Sequence, residues 1–130
     1  MNVLVDTSVW IDFLNRRETP LTQTLERCIR NRDDLCCCGF ILTEVLQGIR
    51  DEKQYTATRQ QFENLIYLED DRPTFQLGAT IYRELRRQGI TIRNSIDCLI
   101  AATVIQSGVN FLENDRDYQF IDRHFPLNRI

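Results

Sequence analysis

Apolar residues run along the chain in short blocks, and the spacing inside each block separates strands from helices. Asn2 to Val5 is short, apolar and β-branched, and it ends in Asp6, which reads as a buried strand delivering a carboxylate at its C-terminal end. Thr7 or Ser8 is expected to cap the helix that follows, with Val9, Trp10, Phe13 and Leu14 at helical spacing. Pro20 opens a second helix reaching about Arg32, with Leu21, Leu25, Cys28 and Ile29 on one face. Leu35 to Cys38 reads as a second buried strand, broken by Gly39. Phe40 to Ile49 then reads as a helix, with Ile41, Leu42, Val45, Leu46 and Ile49 inward and Glu44 off that stripe, on the face of Gly48.

The second half repeats the alternation. Asp51 to Ile66 is polar and helix-prone with Tyr55, Phe62 and Leu65 as anchors, and Tyr67 to Glu69 reads as a short strand. Pro73 starts a helix running to about Gln88, stopped by Gly89. Ser95 is expected to cap the next helix, with Asp97 in its first turn and Cys98 to Ile105 apolar all round, so that helix is buried on most sides. Gly108 ends it. Val109 to Leu112 reads as a strand, Tyr118 to Ile121 as a short helix, and Leu127 to Ile130 as a last strand. Strands alternating with helices predict an α/β fold, a three-layer α/β/α sandwich around a mostly parallel sheet.

Composition narrows this without redirecting it. At 130 residues and 42% hydrophobic, residues 1–130 are expected to form a single domain with a real core. A net charge of −3 lacks the basic footprint common in nucleic-acid binders, although fifteen of the 16 basic residues are Arg, which suits bidentate phosphate contacts. Cys28, Cys36, Cys37, Cys38 and Cys98 are odd in number, and three are consecutive, so neither a disulfide framework nor a zinc cage is expected. They read as reduced core residues. With no signal-peptide pattern and no stretch of about 18 apolar residues, the expectation is a cytoplasmic chain without a membrane partner.

In open parallel sheets ligands bind at the C-terminal ends of strands. Asp6 and Asp115 fall there, while Glu44 and Asp97 lie on buried helices. Each has an ordinary structural reading: a helix cap, a solvated helix acid, a dipole partner, a turn residue. Should they converge, they would repel unless protonated or neutralised, and hard oxygen donors without His or Cys suit Mg²⁺ or Mn²⁺. Arg93 is placed to meet phosphate. Arg86 and Arg87 end a helix and offset its dipole. His124, the only His, lacks partners for a catalytic role.

Four pieces in order resemble the PIN-domain family, in particular the VapC toxins of bacterial toxin–antitoxin pairs. They are Val3-Leu4-Val5-Asp6-Thr7-Ser8-Val9-Trp10-Ile11-Asp12, Thr43-Glu44-Val45-Leu46-Gln47-Gly48, Ser95-Ile96-Asp97-Cys98-Leu99-Ile100-Ala101-Ala102, and Asn114-Asp115-Arg116-Asp117-Tyr118. The resemblance implies endonucleolytic RNA cleavage by metal-activated water, a Mg²⁺ or Mn²⁺ cofactor, a homodimer and a VapB-type antitoxin. It implies Asp6, Asp97 and Asp115 as metal ligands, Glu44 completing the acidic cluster through water, and Asp117 as a lesser candidate. Thr7 or Ser8 would orient a carboxylate. One departure stands out: Glu113 occupies a position where the family commonly has Thr or another small or polar residue. There it would face solvent or alter metal affinity.

Two rival classes share parts of this pattern. A phosphotransfer receiver or phosphatase fits poorly, because Asp6-Thr7-Ser8 lacks a second Asp and Lys53 is in the wrong half of the chain. A PIN-like module kept only for binding protein or nucleic-acid partners is the alternative, although such a module would usually have lost some of the acids.

Overall fold

A computed structural model describes residues 1–130, in the order β1 (Asn2–Val5), α1 (Thr7–Leu14), α2 (Pro20–Arg30), β2 (Asp34–Cys38), α3 (Gly39–Gln47), α4 (Glu52–Phe62), β3 (Ile66–Leu68), α5 (Arg72–Arg87), α6 (Ser95–Ser107), β4 (Asn110–Leu112), α7 (Arg116–His124) and β5 (Asn128–Arg129). The five strands form one sheet in the order β3-β2-β1-β4-β5, and every pairing is parallel. The chain first winds from β1 outward to β3, then crosses back to β4 and β5. Because parallel crossovers are right-handed, this reversal sends α1–α4 to one face and α5–α7 to the other. The packing agrees: α1 touches α2 and α3, and α5 touches α6 and α7. No helix is long and apolar enough to cross a membrane.

With both faces covered, the central strands carry continuous apolar runs rather than an alternation. Val3, Leu4 and Val5 are fully buried, and such burial contributes about 1.5–3 kcal/mol for each large aliphatic side chain. Cys36, Cys37 and Cys38 are buried for the same reason, although consecutive strand residues point to opposite faces. All five cysteines are free, and burial pushes the Cys37 thiol up to about 12 and that of Cys38 up to about 11. They serve as small core residues. Trp10 belongs to the same core, its ring 4.8 Å from that of Phe62.

Two glycines shape this frame. A Cβ on Gly78 would lie 2.6 Å from Leu99 Cδ2, so any larger residue there would force the Leu99 side chain to move where α5 packs on α6. Gly108 ends α6 at φ 66°, the left-handed conformation that glycine adopts without strain.

Several local expectations need correction. Neither Thr7 nor Ser8 caps α1, since Asp6 takes the N-cap position and makes no side-chain cap bond. Asn94, rather than Ser95, caps α6, accepting the Ile96 N–H at 3.0 Å. The second helix stops at Arg30, and Ile29, in its last turn, is 44% exposed. The helix near Tyr118 is longer than expected: Asp115 caps it from before Arg116, and it reaches His124.

Candidate metal centre and its relatives

The sheet reverses its winding direction between β1 and β4, and a cleft opens at the C-terminal ends of those two strands. Asp6 follows β1 directly and Asp115 follows β4. The first turn of α6 adds Asp97, α3 adds Glu44 and the first turn of α7 adds Asp117. All five acids line one pocket with Thr7, Ser8, Ile11, Arg93 and Asn94. The convergence expected of Asp6, Glu44, Asp97 and Asp115 is therefore present in the fold.

Within the pocket the grouping differs from the resemblance's grading. Asp97, Asp115 and Asp117 each offer an oxygen within 4.8 Å of the others. Asp117, the lesser candidate, thus sits in the tightest group, because it lies in the first turn of α7, two residues after the Asp115 that caps that helix. Its backbone N–H donates to Asp115 Oδ1 at 2.9 Å, which makes Asp115 both the cap of α7 and a member of the cluster.

Asp6 and Glu44 join through hydroxyls. Thr7 Oγ1 donates to Glu44 Oε1 at 2.8 Å, and Ser8 Oγ lies 3.4 Å from Asp6 Oδ2. The Tyr118 hydroxyl lies 3.3 Å from both Asp6 Oδ1 and Asp97 Oδ1, between the carboxylate at the end of β1 and the one in the first turn of α6. Sequence reasoning did not single out Tyr118, although it stood at the end of the last motif. Its ring is fully buried, edge-on to Phe111 at 4.8 Å.

The electrostatics follow from burial. Asp6 is only 6% exposed, and desolvation, reinforced by Asp97 and Glu44, raises its pKa to about 7. Desolvation also lifts Asp97, with Asp115 and Asp117 adding repulsion, to about 6. Burial beside the same two acids drives the Tyr118 phenol well above its ordinary value, so it stays a donor. The one cation in the pocket is Arg93, whose Nε lies 3.8 Å from Asp117 Oδ2 with a side chain 82% exposed. An exposed guanidinium at that distance does not neutralise five acids. His124 is exposed at the far end of α7 and contributes nothing here.

A parallel sheet with a carboxylate-lined switch point defines a class of acidic, cation-seeking α/β proteins. Comparison with known proteins narrows the class. The PIN-domain family model matches residues 3–124. The ribonuclease VapC11 of Mycobacterium tuberculosis is 32% identical over 123 residues, covering 93% of this chain and 92% of the relative. A VapC ribonuclease of Mycobacterium bovis matches to the same extent. Among solved structures, VapBC2 from Rickettsia felis, bound to a promoter DNA fragment, superimposes with a TM-score of 0.78 at 19% identity, covering 100% of this chain and 98% of that one. VapBC from Salmonella typhimurium gives 0.75 at 18% identity, covering 100% and 97%. This chain belongs to the PIN-domain family, in its VapC branch.

Proposed function

We propose that residues 1–130 form one catalytic domain that acts as a toxin-type endoribonuclease, cutting RNA phosphodiester bonds with the aid of Mg²⁺ or Mn²⁺. The observation that carries this reading is the cluster of Asp97, Asp115 and Asp117, with Asp6 buried beside it and no cation adequate to neutralise the set. Hard carboxylate oxygens without His or Cys fit Mg²⁺ or Mn²⁺. Asp97, Asp115, Asp117 and Asp6 would hold the ion, and Glu44 would complete the site through water. An ion bound there supplies charge stabilisation to the phosphate and lowers the pKa of the water it holds.

The chain's own residues do the rest. The Tyr118 hydroxyl stands between one oxygen each of Asp6 and Asp97 and can donate its single proton to either, and Thr7 donates to Glu44 at the pocket. Arg93 extends from the rim, where a guanidinium can take a phosphate oxygen of the RNA. VapC11 of Mycobacterium tuberculosis is named a ribonuclease, and the Rickettsia felis and Salmonella typhimurium structures are VapBC complexes. By that kinship the partners of this chain are RNA, a VapB-type antitoxin and a second copy of itself, and it acts in the cytoplasm.

The test is cleavage of a broad RNA panel by the full chain, purified free of any partner, with Mg²⁺ or Mn²⁺. Metal-dependent endonucleolytic products, lost in Asp6→Asn, support the assignment. A folded protein that takes up Mn²⁺ yet cuts no RNA in the panel would shift the reading to a PIN-like binding module.

A further inference from the structure

Glu113 is the acid that departs from the family pattern, and it neither faces solvent nor lines the acidic pocket. Its side chain is 1% exposed, and both of its oxygens are engaged. Oε1 accepts Arg129 Nε at 2.5 Å, and Oε2 accepts the backbone N–H of Asp115 at 2.7 Å. Arg129 arrives on β5, the edge strand, in register with Phe111 of β4. It also reaches Asp122, whose Oδ1 accepts the Leu127 N–H at 2.7 Å, so the segment carrying Arg129 is tied to the end of α7.

These contacts form a continuous line from the C-terminal strand into the pocket. Arg129 holds Glu113, Glu113 holds the backbone of Asp115, and Asp115 Oδ1 receives the N–H of Asp117. Two of the three acids in the tight cluster hang on that line. Hydrogen bonds to an ionised acceptor are the strong ones, and the turn after β4 has no other side chain accepting the Asp115 N–H. A hydroxyl in this place offers one oxygen where the carboxylate offers two that face separate donors.

We propose that Glu113, held by Arg129, is a positioning residue that sets the Asp115 and Asp117 carboxylates for divalent-cation binding. It acts from behind the site and is not a ligand. The inference rests on the metal reading given above, and it adds the residue that orients the ligands and the strand that anchors it.

The experiment is a Mn²⁺ titration of the full-length chain, followed by electron paramagnetic resonance, beside RNA-cleavage kinetics. The double variant Glu113→Leu with Arg129→Met removes the pair without leaving a buried charge unpaired, a replacement that usually preserves folding. Its Mn²⁺ dissociation constant is expected to rise about tenfold or more, with kcat lowered and KM for RNA unchanged. Arg129→Lys keeps a charged donor and is expected to stay within about threefold of wild type. A folded double variant with wild-type Mn²⁺ affinity would overturn the proposal and leave Glu113 a scaffold residue only. Should the double variant not fold, amide exchange in the wild-type protein decides: protection of the Asp115 N–H supports the arrangement, and exchange at the rate of a free loop amide overturns it. Wild-type protein that takes up no Mn²⁺ removes the metal reading itself, whereas wild-type uptake with an unaffected double variant removes only this inference.

Discussion

Asp6 and Glu113 begin alike and end differently. Each follows the C-terminal end of a central parallel strand, β1 or β4, and each is 6% exposed. Glu113 meets Arg129 and a backbone N–H, so its charge is neutralised inside the fold. Asp6 meets two hydroxyls and other acids, so its charge is opposed rather than balanced. A buried carboxylate with an Arg on it is a complete structural unit. One left among other carboxylates is destabilising in the metal-free state and is relieved by a cation. The difference sorts two acids that look equivalent in accessibility into scaffold and site.

The sharpest way to test that contrast is to neutralise Asp6. Asp6→Asn is expected to lower the RNA cleavage rate by at least about 100-fold while raising metal-free stability at neutral pH on the order of 2 kcal/mol, read by urea unfolding. Loss of stability in Asp6→Asn would place Asp6 with Glu113 as a structural acid. Arg129→Met does the opposite, stranding Glu113, and should cost about 2–4 kcal/mol in the same measurement.

The pH dependence follows from the raised values. Asp6 and Asp97 keep their protons in the folded, metal-free chain up to about 7 and about 6, above the ordinary aspartate value of 3.8. The unfolded chain releases those protons first. The stability these two groups contribute is therefore fully present below about pH 4 and is lost as pH rises toward 7. Cation binding requires the ionised forms, so Mn²⁺ affinity is expected to rise by about tenfold or more between pH 5.5 and 7.5, measured by calorimetry. Affinity that stays flat across that interval would show that neither proton is displaced.

Smaller effects lie at the rim. Arg93→Ala should raise KM for RNA several-fold with little change in kcat, and should reduce the salt dependence of RNA binding by about one phosphate contact. Thr7→Val removes the hydroxyl on Glu44 and is expected to lower the rate about threefold. An equal loss in Thr7→Val and Asp6→Asn would put Glu44 on the same footing as Asp6.

Much of this was legible along the chain because it rests on local pattern. The apolar run before Asp6 marked β1, and the uncharged stretch after Asp97 marked a buried helix with an acid at its start. Gly108 marked where that helix ends. Caps were less legible: Thr7, Ser8 and Ser95 are all good capping residues, and the structure used Asp6 and Asn94 in those positions instead. Side-chain geometry at a helix start depends on how the preceding segment enters, a strand before α1 and a loop from α5 before α6, which residue type does not specify.

The sequence by itself determined the α/β class, the family membership and which acids stand at the ends of buried elements, because short-range periodicity and motif order carry that information. Only the tertiary structure decided how those acids are grouped. Asp117 joins Asp97 and Asp115 because α7 turns back beside α6, and Tyr118 bridges Asp6 and Asp97 across 112 and 21 residues of chain. Glu113 turns away from the site because Arg129, 16 residues on, lies across it in the next strand. Charge balance among buried groups depends on which neighbours folding brings within a few ångströms, and spacing along the chain does not contain that distance.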